Sequence, residues 1–250
     1  IISLIVNLFI GLSVGANVLV AQYYGASDTK DLRETVHTSV LASLIFGCIV
    51  LVIGITLAAP MLELMGTPEE VLDQACLYMR IYFIGMPASM LYNFGAAILR
   101  AVGDTQRPLY FLFIAGIVNV LLNLFCVIVL HMGVAGVAWA TFLCQGISCV
   151  LAVAVVIRRL KQLPSQGKPV LFSGDLLGRF VVIAIPSVLQ QSFISVGNIV
   201  IQGVINSFGS GVMAGYSASV KLNNLVITSL TTLGNGISNY TSQNMGAGKM

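Results

Sequence analysis

The chain has 250 residues, 57% of them hydrophobic and 8% charged, with a formal net charge of +3. A soluble domain carries about 25% charged residues, so 12 basic and 9 acidic side chains are too few to coat one of this size. Disorder, a collagen-like or disulfide-stapled scaffold and a nucleic-acid binder are excluded, and the expected class is an all-α, polytopic membrane protein.

Apolar segments long enough to span a bilayer, which needs about 20 residues, run roughly over 1–25, 36–59, 72–99, 108–130, 134–157, 177–207 and 211–245. Strand periodicity is absent. Gly25-Ala26-Ser27-Asp28 ends the first segment and Pro60 is expected to stop the second. Thr67-Pro68-Glu69-Glu70 reads as a cap, a proline and two acids opening the third. Gly103-Asp104-Thr105-Gln106-Arg107-Pro108 is a tight polar turn before the fourth, and His131-Met132-Gly133 a very short one before the fifth. The stretch from Arg158 to Gly178, with Pro164 and Pro169, is the expected linker before the sixth. Ser207-Phe208-Gly209-Ser210-Gly211 separates the last two. The chain opens inside an apolar run without an initiator Met, and it reads as a fragment rather than as a chain with a signal peptide.

Charge placement predicts the orientation. Lys30, Arg33, Arg100, Arg107, Arg158, Arg159, Lys161, Lys168, Arg179 and Lys249 all fall at loops on one side. The alternate loops, near 60–72, 131–133 and 207–211, hold no Lys or Arg, while Glu63, Glu69, Glu70 and Asp73 lie in or beside the first of them. The basic loops are expected to be cytoplasmic.

An internal repeat sets the architecture. Gly15-x6-Gln22-x2-Gly25-Ala26 superimposes on Gly236-x6-Gln243-x2-Gly246-Ala247 at an offset of 221 residues, and both copies close a helix on the basic side. Only five of eighteen positions agree over 11–28 against 232–249, so position carries more of the argument than identity. Six helices fit in one period, and an even number gives two repeats of the same orientation. The expected whole is a 12-helix transporter built from two parallel six-helix repeats, of which this chain holds about seven helices. Residues 1–160 would be an N-terminal bundle lacking its first helix, 161–176 a cytoplasmic linker, and 177–250 the first two helices of the C-terminal bundle.

All nine carboxylates lie in loops or near helix ends, whereas ion-coupled transporters commonly use acids within the membrane. Neutral polar side chains are the remaining candidates. Asn119 and Asn123 share a helix face at i, i+4; Asn93 follows Pro87; Gln190 and Gln191 follow Pro186, with Asn198 two turns on. The two prolines free backbone carbonyls inside their helices. The competing reading for each amide is interhelical hydrogen bonding. Arg80 and Lys221 lie about ten residues from their helix ends, where they could snorkel or face a wet cavity. His37 and His131 are expected to be solvated. Gly11-x3-Gly15 and Gly211-x3-Gly215 permit close helix packing. Five cysteines without C-x-x-C spacing suggest neither a metal nor a redox pair. Neither H-E-x-x-H nor G-x-S-x-G occurs, and Gly246-Ala-Gly-Lys249 departs from a P-loop at Gln243 and Met250. No enzyme, catalytic residue, metal site or cofactor is expected.

Leu99-Arg100-Ala101-x-Gly103-Asp104-Thr105-x2-Pro108, Met132-Gly-Val-Ala-Gly-Val-Ala-Trp-Ala-Thr141 and the paired Gln-x2-Gly-Ala motifs resemble signatures of the multidrug and toxic compound extrusion (MATE) family. The resemblance covers essentially the whole chain, over the second to eighth of that family's twelve helices. It implies a secondary antiporter of the cell (inner) membrane that exports organic cations and drugs in exchange for Na⁺ or H⁺ by alternating access. It also implies an ion site on the fifth and sixth helices, at positions held here by Asn119, Asn123 and Thr141. The family has Asp where this chain has Asn123, which removes a titratable group. Asn93, Gln190 and Gln191 are candidates to line the substrate cavity. The competing functions are a flippase for lipid-linked saccharides, which would want an arginine-rich cavity, and a non-coupled channel or receptor, which would usually show a filter loop or a charged ring.

Overall fold

The computed structural model describes residues 2–64, 69–162, 170, 172–206, 208 and 210–249. Every regular element among them is helical: α1 (Ile2–Gly25), α2 (Thr29–Leu64), α3 (Glu69–Ile84), α4 (Met86–Ala101), α5 (Gln106–Leu124), α6 (Gly133–Gln162), α7 (Gly174–Asn206) and α8 (Ser210–Gly246). The seven expected spans map in order onto α1, α2, the α3–α4 pair, α5, α6, α7 and α8. By length and hydropathy α2, α5, α6 and α7 could each cross a membrane, and the α3–α4 pair would make a fifth span. The long α8 falls outside that group; it is diluted by Lys221, Asn223, Asn224 and a run of Ser and Thr. The cap at Thr67-Pro68 and most of the expected linker, with Pro164, Lys168 and Pro169, lie outside the described residues.

The helices form two compact units, residues 29–177 and residues 1–28 with 178–250. In the first, α2 packs on α3 and α4, α4 on α6, and α5 and α3 on α6. Its centre is apolar: Met86, Met90 and Phe94 recur every four residues along one face of α4 and are fully buried, with Phe83 and Leu99 beside them. Gly54 leaves room for the Phe83 ring, which a Cβ there would strike. In the second unit α1 packs along α8. Gly11 and Gly15 let α1 approach the α7 backbone at Val188 and Phe180, which is the use expected of that spacing. A methyl added at Gly211 or Gly215 would meet nothing within 4 Å, so that pair makes no close contact among the described residues.

Three prolines behave differently. Pro87 enters at the start of α4, where its missing N–H is no loss, and a 45° bend separates α3 from α4. α7 continues unbroken through Pro186. Pro60 does not stop α2, which runs on to Leu64. A proline removes one backbone bond, whereas ending a helix in apolar surroundings would strand several. Beyond Leu124 the chain loosens into one wider turn over Phe125–Val129, where the Leu130 N–H donates to the Phe125 carbonyl at 3.1 Å. The outer faces are apolar, as lipid contact requires: Leu109, Phe113, Val120 and Leu121 on α5 and Val150 on α6 are each more than half exposed.

Candidate functional site

Within the unit of residues 29–177, α4, α5 and α6 enclose a partly open pocket of about 400 Å³. Each helix contributes one stripe. α4 presents Ser89, Tyr92 and Asn93, spaced i, i+3, i+4. α5 presents Leu112, Ala115, Gly116 and Asn119, and α6 presents Thr141, Cys144, Gln145 and Ser148, both spaced i, i+3, i+4, i+7. That spacing places each set on one helix face. The small residues Ala115 and Gly116 leave the volume, and the polar groups line it.

The structure therefore brings together Asn93, Asn119 and Thr141, three of the six residues singled out from the sequence. Asn123 lies one turn along α5 and donates its amide N–H to the Asn119 side-chain oxygen, Oδ1, at 3.0 Å. Its own side-chain oxygen is buried and has no hydrogen-bond partner among the described residues. Thr141 donates to the Val137 carbonyl at 2.9 Å and Asn93 donates to the Ser89 carbonyl at 2.9 Å. The Thr141 hydroxyl proton and one of the two Asn93 amide protons are thus used within their own helices, leaving oxygen lone pairs and one amide N–H for the pocket. Tyr92 donates its hydroxyl to the Pro108 carbonyl at 3.2 Å, tying α4 to the start of α5. The lining carries neutral oxygens and amides and no carboxylate. Such a set can accept from organic cations and can coordinate a hard cation through oxygen.

Gln190 and Gln191 belong to α7 in the other unit, Gln190 exposed and Gln191 half-buried, and they do not line this pocket. Arg80, Lys221 and Asn198 are exposed. His37 is not simply solvated: it is half-buried and edges an apolar crevice of about 220 Å³ among α2, α4 and α6. Ser89, Tyr92, Gln145 and Ser148 were missed by sequence reasoning, although the spacing of Gln145 and Ser148 from Thr141 was available as a signal. Glu34 is another: it lies in the second turn of α2, yet it is buried, with one carboxylate oxygen lacking a hydrogen-bond partner among the described residues.

The turn after α4 has its own construction. Gly103 takes φ +85°, the left-handed conformation natural to glycine, and the Asp104 N–H folds back to the Leu99 carbonyl at 2.9 Å. The Asp104 carboxylate then accepts from Arg107 and from Arg159 at the end of α6, both at 3.1 Å. The motif from Leu99 to Pro108 is thus a helix stop followed by an acid that clamps two helix ends.

The MatE family model matches residues 1–125. The chain is 29% identical over 248 residues to the protein of Bacillus subtilis named "Probable multidrug resistance protein YpnP", covering 98% of this chain and 54% of that protein. It is also 29% identical to YoeA of the same organism, named "Probable multidrug resistance protein YoeA", with 98% and 54% covered. A solved structure of a multidrug resistance MATE family transporter in its outward-facing conformation superimposes with a TM-score of 0.88 at 22% identity, over 99% of this chain and 55% of that one. The chain spans about half the length of the curated relatives it matches. With a family model over half its residues and an all-helical membrane fold, the chain belongs to the MatE family of multidrug and toxic compound extrusion transporters.

Proposed function

We propose that this chain is the larger part of the transport path of a secondary antiporter that exports organic cations and drugs in exchange for Na⁺ or H⁺ by alternating access. The observation that carries the reading is the pocket among α4, α5 and α6, in which neutral oxygens and amides converge inside a helix unit with an apolar exterior. Family membership and the resistance-protein names of its relatives support the direction, export.

Asn119, Asn123 and Thr141 would hold the coupling ion or pass its proton, with the buried oxygen of Asn123 as the ligand still free to turn toward it. Asn93 would line the substrate side of the same pocket, and Gln190 and Gln191 remain candidates to meet the substrate within their own unit. The basic loops would face the cytoplasm of a bacterial inner membrane, as the distribution of Lys and Arg favours. The bundle boundaries at 160 and 177 belong to the same proposal. Reconstituting the full-length transporter and imposing first a Na⁺ and then a pH gradient tests it: uptake or release of a fluorescent organic cation is expected under one of them. A null result under both, with folded protein, would remove the drug-antiporter reading and leave a lipid-linked substrate as the next to try.

A further inference from the structure

A second hollow in the unit of residues 29–177 is unlike the polar pocket. α2 and α6 both pack on α4, and between them lies the apolar crevice of about 220 Å³ that His37 edges. Gly95 forms part of its floor on α4, Val36 and Val40 one wall on α2, and Val153 and Ile157 the other on α6. Among the described residues that line it, His37 alone has a polar side chain. A smaller hollow of about 30 Å³ shares Val36, Val156 and Leu160 with it and reaches Leu32, Val102 and Arg159. Together they make one groove along α4 from Leu91 to Val102, a run of about 16 Å at the helical rise.

All three helices point the groove the same way. Leu32 lies in the first turn of α2, Val102 directly follows α4, and Arg159 stands in the last turn of α6. The narrow end therefore opens among the basic loops, and the wide end lies deeper in the apolar layer. Cations stand on the groove side of that mouth. On α2, Lys30, Arg33, His37 and Val40 are spaced i, i+3, i+7 and i+10, which is one helix face; Asp31 falls off that face. On α6, Val153, Ile157 and Lys161 recur every four residues. Lys30 and Lys161 are exposed, while the Arg33 Nε–H is buried and has no hydrogen-bond partner among the described residues. The Asp104 carboxylate is already engaged by Arg107 and Arg159, and Glu34 is buried.

We propose that this groove is a binding site for an anionic phospholipid: one acyl chain lies along α4 between α2 and α6, and the headgroup phosphate meets Lys30, Arg33 and Lys161 at the mouth. The inference goes beyond transport and rests on the membrane fold alone. Shape and charge both select this occupant. A helix with its side chains is about 10–12 Å across, so two connected hollows of about 220 and 30 Å³ admit a thread-like chain and not a further helix. A mouth set with Arg and Lys repels an organic cation, whereas basic pockets between membrane helices attract anionic headgroups. The phosphate also gives the Arg33 N–H the acceptor it lacks. Gly95 keeps the floor open: an added methyl would lie 3.4 Å from the Ala152 Cβ, an ordinary contact, so packing does not demand glycine there.

The test uses the full-length transporter in detergent, titrated with phosphatidylglycerol or with phosphatidylcholine of identical chains, and bound lipid is counted by native mass spectrometry. Gly95→Leu fills the floor of the groove and is expected to remove one bound phosphatidylglycerol per transporter. Val153→Phe fills it from α6 and serves if the leucine variant fails to fold. Lys30→Gln with Lys161→Gln should weaken phosphatidylglycerol at that site by about tenfold while leaving phosphatidylcholine unchanged. Gly146→Leu, on the same helix where an added methyl meets nothing within 4 Å, should leave the count as it was. An unchanged count in folded Gly95→Leu and Val153→Phe overturns the site. So does equal retention of the two lipids, which would mean that any chain fills the crevice without selection by the headgroup. The count needs no transport, so a protein that binds the lipid at this groove and moves no organic cation keeps the site and loses the antiporter reading.

Discussion

Asn123 spends its amide on Asn119 and keeps a buried oxygen with no hydrogen-bond partner among the described residues. Leaving such an acceptor unmade costs about 1–3 kcal/mol, which a coordinated cation or a passing proton would offset. Asn123→Leu removes that oxygen but also the donor to Asn119, so the two effects oppose each other and the stability of the folded transporter is expected to change little. The substitution should lower ion-driven dye transport by roughly tenfold, equivalent to about 1.4 kcal/mol of lost coupling. Equal transport in the variant, measured at matched protein levels in proteoliposomes, would remove Asn123 from the ion site. Thr141 separates hydroxyl chemistry from shape: Thr141→Ser should retain coupling and Thr141→Val should lose it, judged by the ion concentration giving half-maximal transport. Asn119 and Thr141, which line the pocket, were among the residues that spacing and resemblance singled out. Ser89 and Tyr92 were not, and Gln145 and Ser148 only through their spacing from Thr141, because a lone polar residue in an apolar helix looks the same whether it faces lipid, a neighbour or a pocket. Only the packing of α4, α5 and α6 decides which.

At the scale of elements, the α2–α3–α4 contact is closed by an aromatic ring. Phe83 is 1% exposed and seats its ring against Gly54. Phe83→Ala should destabilise the protein by about 3–5 kcal/mol through the cavity it leaves, read as a lowered midpoint of thermal aggregation in detergent. The Asp104 clamp behaves differently. Its partners Arg107 and Arg159 are about half exposed, at 48% and 49%, and exposed ion pairs contribute about 1 kcal/mol or less. Asp104→Asn is thus expected to shift stability very little while loosening the end of α6 from the α4–α5 turn. A large fall in the thermal midpoint would show that the clamp is structural rather than positional. The turn itself was visible in the sequence, since Gly103 and Pro108 mark a stop and a start. The long-range partner Arg159 was not, because nothing local pairs it with Asp104 across 55 residues.

At the scale of the whole molecule, the order of helices and the repeat followed from apolar length, charge alternation and one twelve-residue spacing. Helix ends followed less well: Pro60 was read as a stop, but in apolar surroundings α2 continues past it. That the two repeat copies touch could not be read from their resemblance, which is silent about distance. It emerges only when α1 is found along α8 with Gly25 and Gly246 facing the opposite Gln carbonyls. The proposed exchange of an organic cation for Na⁺ or H⁺ is tested most directly by movement of a fluorescent organic cation through the full-length protein in proteoliposomes. An inwardly or outwardly imposed Na⁺ or H⁺ gradient is expected to drive the dye against the ion flow, and Asn123→Leu to weaken that coupling. Dye movement indifferent to both gradients, or none at all from folded protein, would contradict it.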